Sequence, residues 1–307
     1  MGLSRTSVED NFPRVSKEDV TVVLCTLNEE DAIGKVIDDL FSHGYSNILV
    51  VDGYSKDRTR EIAESKGVKV VMQINSGKGG AVITAINKVD TNFIAFMDAD
   101  GTYSASDLDR LLYHAPDYVE VIGKRCKRGI RTLHRFGNWV INKLFAMAFS
   151  EDVGDVLSGM YILKTEIAKK LDLRSNGFEI EVEIASQMAR FGKIAYVPIS
   201  YGERIGKTKL SSFRDGLKIV LYLFKMMRFQ NPLVFYAIVA GIFIVPGLIS
   251  LSYAFILYIL TGIYHNGYAL MGAILTIVGV QGTLVAGLSS MLKRIEKLLL
   301  TSNVSVK

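Results

Sequence analysis

The 307-residue sequence predicts an α/β fold: a head built on a mostly parallel sheet, then an interfacial helix, then a two-helix transmembrane hairpin. Three observations lead there. Short β-branched runs alternate with helical patterns through the first hundred residues, the signature of a parallel sheet covered by helices. Residues 211–230 are amphipathic at helical spacing, with interspersed bases. Two uncharged runs follow, "LVFYAIVAGIFIVPGLISLSYAFILYIL" from Leu233 to Leu260 and "YALMGAILTIVGVQGTLVAGLSSML" from Tyr268 to Leu292. Spanning a hydrocarbon layer of roughly 30 Å takes about 20 apolar helical residues, and both runs reach that length.

In chain order, "VTVVLCTL" (Val20 to Leu27) reads as a strand ending at "NEED". "DAIGKVIDDLFSHG" follows as a helix, with Ile33, Val36, Ile37, Leu40 and Phe41 on one face and Gly44 to stop it. "NILVVDG" is a strand and "KDRTREIAESKG" a helix. "VKVVMQ" is a strand, "GKGGAVITAINKV" a loop and helix, and "FIAFMDAD" a strand. Ligands of such sheets bind beyond the carboxyl ends of the strands, where this chain places Asn28, Glu29, Asp52, Asp98 and Asp100. One such aspartate suits a turn or a helix cap. Several at one edge repel unless a cation or a ligand holds them.

Charge divides the chain as hydropathy does. Of 36 basic and 31 acidic residues, only Lys293, Arg294, Lys297, Lys307 and Glu296 lie beyond residue 230, so the head is near neutral. That argues against nucleic-acid binding, which needs a broad basic surface. The bases Lys218, Lys225 and Arg228 precede the hairpin and Lys293, Arg294 and Lys297 follow it, whereas "TGIYHNG" between its helices has none. The positive-inside rule then puts the head and both termini in the cytoplasm. The expected organisation is a polar tail (1–19, without a signal-peptide core), a catalytic head (20–210), the interfacial helix (211–230), two transmembrane helices (231–292) and a tail (293–307). Cys25 and Cys126 show no metal-type spacing, and a cytoplasmic head predicts free thiols.

"CTLNEEDAIGKVI", "ILVVDGYSKDRTREIA", "GKGGAV" and "FMDADGTY", in this order, resemble the nucleotide-sugar half of a GT-A glycosyltransferase, and more narrowly family 2 with its dolichyl-phosphate sugar synthases. The likeness extends over most of residues 20–230. It departs at Cys25, where the family usually has proline, and at Gly53, where a second aspartate is common. The resemblance implies a nucleotide-sugar donor bound with Mg2+ or Mn2+, hard ions that prefer oxygen ligands. It makes Asp100 and Asp98 the metal-binding and catalytic carboxylates, with Asp98 sharing the metal or meeting the ribose. Thr26, Asn28, Glu29, Asp52, Lys78 and Ala99 complete the donor site, Lys78 near a phosphate or the base.

On the acceptor side, "KRCKRGIRTLHR" (Lys124 to Arg135) has no neutralising acid between Val121 and Ser150. A charge run is often a solvated face, but the next segment, "FGNWVINKLFAMAF", suits a membrane interface. By resemblance Arg125, Arg131 and Arg135, together with Ser158, Arg204 and Lys209, grip the phosphate of a dolichyl or polyprenyl acceptor; Arg125 and Arg135 count as catalytic. Glu179 and Glu181, at a helix start, suit a structural salt bridge equally well. "QMARF" (Gln187 to Phe191) mimics a processive-synthase signature but lies on the wrong side of its strand.

A phosphate acceptor is already ionised near pH 7 and needs no general base, which fits four histidines without motif context. The family resemblance implies inversion at the sugar carbon. "DGTY" and "GERIGKTKL" favour a UDP-sugar donor; a GDP-mannose enzyme is the alternative. Two further readings stay open: a hydroxyl-acceptor transferase using Asp155 or Glu179 as base, and a non-catalytic membrane-tethered binder. The hairpin could also pair between chains into a homo-oligomer.

Overall fold

The computed structural model describes residues 15–126, 132–149, 154–206 and 212–304. The head opens with β1 (Val20–Thr26), α1 (Ile33–Ser42), β2 (Ile48–Asp52), α2 (Thr59–Ser65), β3 (Lys69–Met72), α3 (Gly77–Lys88) and β4 (Phe93–Asp98). It continues with α4 (Ala105–His114), β5 (Glu120–Arg125), α5 (Thr132–Phe149), β6 (Tyr161–Lys164), α6 (Thr165–Ala168), α7 (Ile180–Met188) and β7 (Ile194–Ile199). Three long helices end the chain: α8 (Ser212–Gln230), α9 (Pro232–Thr261) and α10 (Asn266–Val304).

The seven strands lie in the order β3-β2-β1-β4-β6-β5-β7. The chain winds outward from β1 to β3, then returns to place β4 on the other side of β1, both pairings parallel. That reversal opens the crevice in which doubly wound sheets bind ligands. β6 alone runs antiparallel, to β4 and β5, so the sheet is mostly parallel, as expected. β1, β2 and β4 are mostly apolar along their length rather than alternating, as strands covered on both faces are. Helix α1 seals one face with Ile33, Val36, Ile37 and Leu40, all buried at the predicted spacing, whereas Phe41, expected with them, is exposed. Each such side chain contributes about 1.5–3 kcal/mol.

The segment expected as a loop before α3 is already helical, because α3 begins at Gly77 and takes in the whole of "GKGG". The glycines have a packing reason. A Cβ on Gly79 would lie 1.9 Å from the carbonyl oxygen of Ser175, and one on Gly77 would lie 2.1 Å from that of Asn176. The Gly79 N–H donates to that Asn176 carbonyl at 3.0 Å. The close backbone approach that these glycines permit is made by the protein's own 175–176 segment, which satisfies a helix-terminal donor.

The chain divides into two compact units, with the boundaries inside α5 (Lys143/Leu144) and inside α8 (Val220/Leu221). In the second unit, α9 and α10 pack against each other. A Cβ on Gly247 would meet Thr276 Oγ1 at 2.5 Å, and Ser250 donates to the Tyr268 carbonyl at 2.8 Å. Small residues and hydroxyls at a helix contact are the usual means of association where burial from water gives no drive. Pro232–Thr261 and Asn266–Leu292 contain 18-residue windows of mean hydropathy 2.4 and 1.9, and each is long and apolar enough to cross a membrane. α10 runs on past residue 292 as far as Val304.

Candidate active site

Strand register builds the site. Thr26 pairs with Asp52, and Cys25 pairs with Asp98, so the last residues of β1, β2 and β4 share one edge. Beyond β1 the chain turns at Asn28, whose φ of 50° is left-handed, a region asparagine tolerates better than most residues. The Asn28 N–H donates to Ser55 Oγ at 2.8 Å, and its Oδ1 accepts from the Lys56 N–H at 2.7 Å. The Glu29 N–H donates to Thr59 Oγ1 at 2.8 Å. The loops after β1 and β2 are thereby stitched into one wall.

Asp52 is the centre of that wall. It is fully buried, and its carboxylate accepts from the Ser55 N–H (2.8 Å), Ser55 Oγ (2.5 Å) and Thr26 Oγ1 (3.2 Å). Neutral donors of fixed geometry make its close contacts, and the half-exposed Arg60 stands farther off, its Nε 4.0 Å from Oδ2.

Asp98 and Asp100 separate. Asp98 turns toward α3 and accepts from Lys78 Nζ at 2.9 Å; the same ammonium reaches Glu181 Oε1 at 2.6 Å and lies over the Phe178 ring. Burial alone would depress the Lys78 ammonium, but Asp98 and Glu181 hold it well above its ordinary value. Burial would likewise raise Asp98; Lys78 outweighs it and keeps that carboxyl below its usual range. Glu181 is the weaker claimant: burial raises its carboxyl, and its Oε2 is buried without a hydrogen-bond partner. Beside them, burial pushes the Cys25 thiol up to about 12, against the pull of Lys78. Both cysteines are free thiols, as expected.

Asp100 faces the other way. Its Oδ1 accepts from the Thr102 N–H at 3.1 Å and from Thr102 Oγ1 at 2.6 Å. Its Oδ2 lies 3.1 Å from Arg204 Nη1, and Arg204 Nη2 donates to Glu29 Oε1 at 2.8 Å. Ala99, between the two aspartates, is buried in the core.

Arg125, at the end of β5, is held by Asp155: Nε donates to Oδ2 at 2.6 Å and Nη2 to Oδ1 at 2.8 Å, a bidentate pair. Its guanidinium also lies 5.4 Å from the centroid of the Tyr201 ring, which meets Tyr103 edge-on. Tyr103 Oη accepts from the Gly159 N–H at 2.9 Å. A Cβ on Gly159 would lie 2.0 Å from Asp98 Oδ2, so only glycine lets this loop, with buried Ser158, close onto the carboxylate. Arg131 and Lys209 lie outside the described residues, as does the side chain of Arg135 on α5.

The structure therefore joins Thr26 and Asp52, Lys78 and Asp98, and Glu29, Asp100 and Arg204. It adds Ser55, Thr59, Thr102, Tyr103 and Tyr201 as their supports. Among the described residues no three His, Cys, Asp or Glu side chains converge on a metal position. The available oxygens are Asp100 Oδ2 and the Asp98 carboxylate. So sparse a set fits a hard divalent ion that takes its remaining ligands from phosphate and water.

A parallel sheet with a carboxylate-lined crevice beside β1 and β4, followed by three strands of mixed direction, defines a GT-A head. The chain belongs to glycosyl transferase family 2, whose family model matches residues 21–172. It is 36% identical over 296 residues to "Glycosyltransferase AglJ" of Haloferax volcanii, covering 91% of this chain and 98% of that one. It is 35% identical over 209 residues to the "Dolichyl-phosphate hexose transferase" of the same organism, covering 66% and 91%. Among solved structures, glucosyl-3-phosphoglycerate synthase from Mycobacterium tuberculosis with Mn2+ and UDP-glucose superposes with a TM-score of 0.58. That match has 20% identity over 68% of this chain and 78% of the other, and bears on the fold alone.

Proposed function

We propose that this protein is a membrane-anchored, inverting glycosyltransferase. It moves a hexose or N-acetylhexosamine from a nucleotide diphosphate sugar, with UDP-sugars favoured, onto dolichyl or polyprenyl phosphate. The observation that carries the reading is the pairing of Asp98 and Asp100 with Lys78 and Arg204 beside the Asp52 wall. Carboxylates and exchangeable cations alternate there, as a bound diphosphate with its cation requires. The dolichyl-phosphate hexose transferase relative supports the acceptor class. The two long apolar helices support a tether to the bilayer that holds such an acceptor.

In this reading Asp52, fixed by Ser55 and Thr26, accepts hydrogen bonds from the nucleoside. Asp100, with Asp98 beside it, would hold Mg2+ or Mn2+. When bound, such an ion supplies Lewis-acid stabilisation of the departing diphosphate. Lys78 keeps Asp98 ionised and in place. Arg125, Arg135, Arg131 and Ser158 are the candidate grips for the acceptor phosphate, and Arg204 and Lys209 for the donor and acceptor phosphates where they meet. That phosphate needs no proton removed, so the chain has only to align two anions, and positioning alone can lower a barrier by about 7–11 kcal/mol. A hydroxyl acceptor would need a base. Asp155 is poorly suited to that, because both its oxygens are occupied by Arg125.

The test uses detergent-purified protein, dolichyl phosphate, Mn2+ and labelled UDP- and GDP-sugars. Label should enter the organic phase from one donor and be lost in Asp100→Ala and Arg135→Ala. Donor hydrolysis without lipid product would overturn the phosphate acceptor. Nucleotide binding with no turnover of any kind would point instead to a non-catalytic binder.

A further inference from the structure

Asp100 has one carboxylate oxygen to spare, and a cation of the protein already sits on it. Thr102 occupies Oδ1 with both its N–H and its hydroxyl, while Oδ2 meets, among the described residues, only Arg204 Nη1, at 3.1 Å. The backbone that carries Arg204 is tied to the same strand end. The Ile205 N–H donates to the Asp100 carbonyl and the Gly202 N–H to the Thr102 carbonyl, each at 2.9 Å. The side chain is held otherwise: by Oδ2 of Asp100 and by Glu29 Oε1, while Nε is buried with no hydrogen-bond partner among the described residues. A fixed backbone thus bears a guanidinium gripped by two carboxylates and left with an unmet donor.

Resting on the metal-dependent donor reading above, we propose that Arg204 is an internal stand-in for the divalent ion at Asp100. In this role it is a positioning residue, exchanged when metal and nucleoside diphosphate bind together. A divalent ion ligated by oxygen sits about 2.0–2.6 Å from its ligand, which on Oδ2 is where the guanidinium approaches. Two cations on one oxygen repel strongly where water is partly excluded. Metal alone must therefore evict Arg204 and leave its charge without a second partner. A diphosphate removes that penalty, because its oxygens accept the planar guanidinium fork, Nε included. Bare metal should bind weakly, and metal and nucleotide should each tighten the other by the same factor.

The experiment titrates Mn2+ into the full chain in detergent and follows free Mn2+ by electron paramagnetic resonance, with and without UDP; no acceptor or turnover is involved. Wild type should bind Mn2+ weakly alone and at least about tenfold more tightly with UDP. Arg204→Met should bind Mn2+ alone about tenfold more tightly than wild type, since its competitor is gone, and should lose most of the UDP enhancement. Arg204→Lys keeps the charge and should restore weak binding. Near-ultraviolet circular dichroism without metal reports folding, and Arg204→Gln replaces the methionine variant if that one does not fold. Equal Mn2+ affinity in wild type and the neutral variants, with UDP coupling intact, would overturn the exchange. No Mn2+ uptake by any form, even with UDP, would instead overturn the donor reading on which it rests.

Discussion

Two anions at the same sheet edge are kept in different ways. Asp52 is buried and closely held by hydroxyls and an amide, with its cation, the half-exposed Arg60, only at 4.0 Å; Asp98 and Asp100 are held at 2.9 and 3.1 Å by the side-chain cations Lys78 and Arg204. Neutral donors on short loops cost little to hold in place and have nowhere to go. A lysine or an arginine on a long stem can leave one anion for another. The first arrangement makes a wall, and the second makes a set of partners that a charged ligand can exchange. Substitutions on the Asp52 side should therefore act on donor binding and leave the rate of the bound complex alone. Substitutions on the Asp98 and Asp100 side should act on the rate and on metal affinity.

The sharpest break comes from Asp100→Ala. If Asp100 anchors the charge that stabilises the departing diphosphate, transfer should fall by about a thousandfold or more, the scale on which a single preorganised electrostatic group acts. Single-turnover rates with saturating donor would show it, and a loss confined to KM would put Asp100 with the wall instead.

Lys78→Met comes next and is read in stability. It strands Asp98 and Glu181 together; removing one partner of a fully buried pair costs about 3–5 kcal/mol, and because Asp98 keeps 32% of its side chain exposed the loss should lie at or below the low end of that range. The pH dependence carries a sign. Burial works against the Lys78 ammonium, yet the two carboxylates raise it above its ordinary 10.5. Its contribution is therefore fully present below about that pH and lost as pH rises through the folded value. The difference in melting temperature between wild type and Lys78→Met should be constant from neutrality to mildly alkaline pH and should shrink in strong base. A difference that grows in base would refute the pairing.

Local patterns in the sequence reveal the wall better than they reveal the exchangeable set. The i, i+3, i+4, i+7 spacing of Ile33, Val36, Ile37 and Leu40 identifies α1, and the apolar runs before Asp52 and Asp98 place both aspartates at strand exits. These features lie within a few residues of each other. The partner of Asp100 comes from a distant part of the chain, as the Glu29–Arg204 separation of 175 residues shows. No local periodicity encodes such a contact. The same is true of "GKGG". Glycine is a poor helix former, so the segment reads as a loop until the 175–176 backbone, about a hundred residues on, is seen against it. Glu181 gave no signal beyond its place at a helix start, and only the fold shows it sharing Lys78 with Asp98.

Gly79→Ala tests that packing with a smaller effect. A methyl there would overlap the Ser175 carbonyl, a backbone atom that cannot swing aside. Overpacking of this kind costs about 1–3 kcal/mol. The loss should appear in the denaturant midpoint. Because the 175–176 segment leads into α7 and Glu181, Lys78 should also be displaced and the transfer rate should drop.

The smallest effect belongs to Ser55→Ala, and it bears most directly on the contrast between wall and exchange. Ser55 Oγ accepts from the Asn28 N–H and donates to Asp52, so its removal loosens the joint between the β1 and β2 loops without touching a charge. Hydrogen bonds to charged groups contribute about 1.5–3 kcal/mol, and the Ser55 N–H still serves Asp52. The net loss should therefore sit at the low end of that range. If the wall only binds and orients the nucleoside, the donor KM should rise severalfold while the rate at saturation stays within about twofold, the pattern of lost uniform binding. A fall in the saturated rate as large as that of Gly79→Ala would mean that Asp52 takes part in the exchange after all, and that fixed and exchangeable anions cannot be told apart by what holds them.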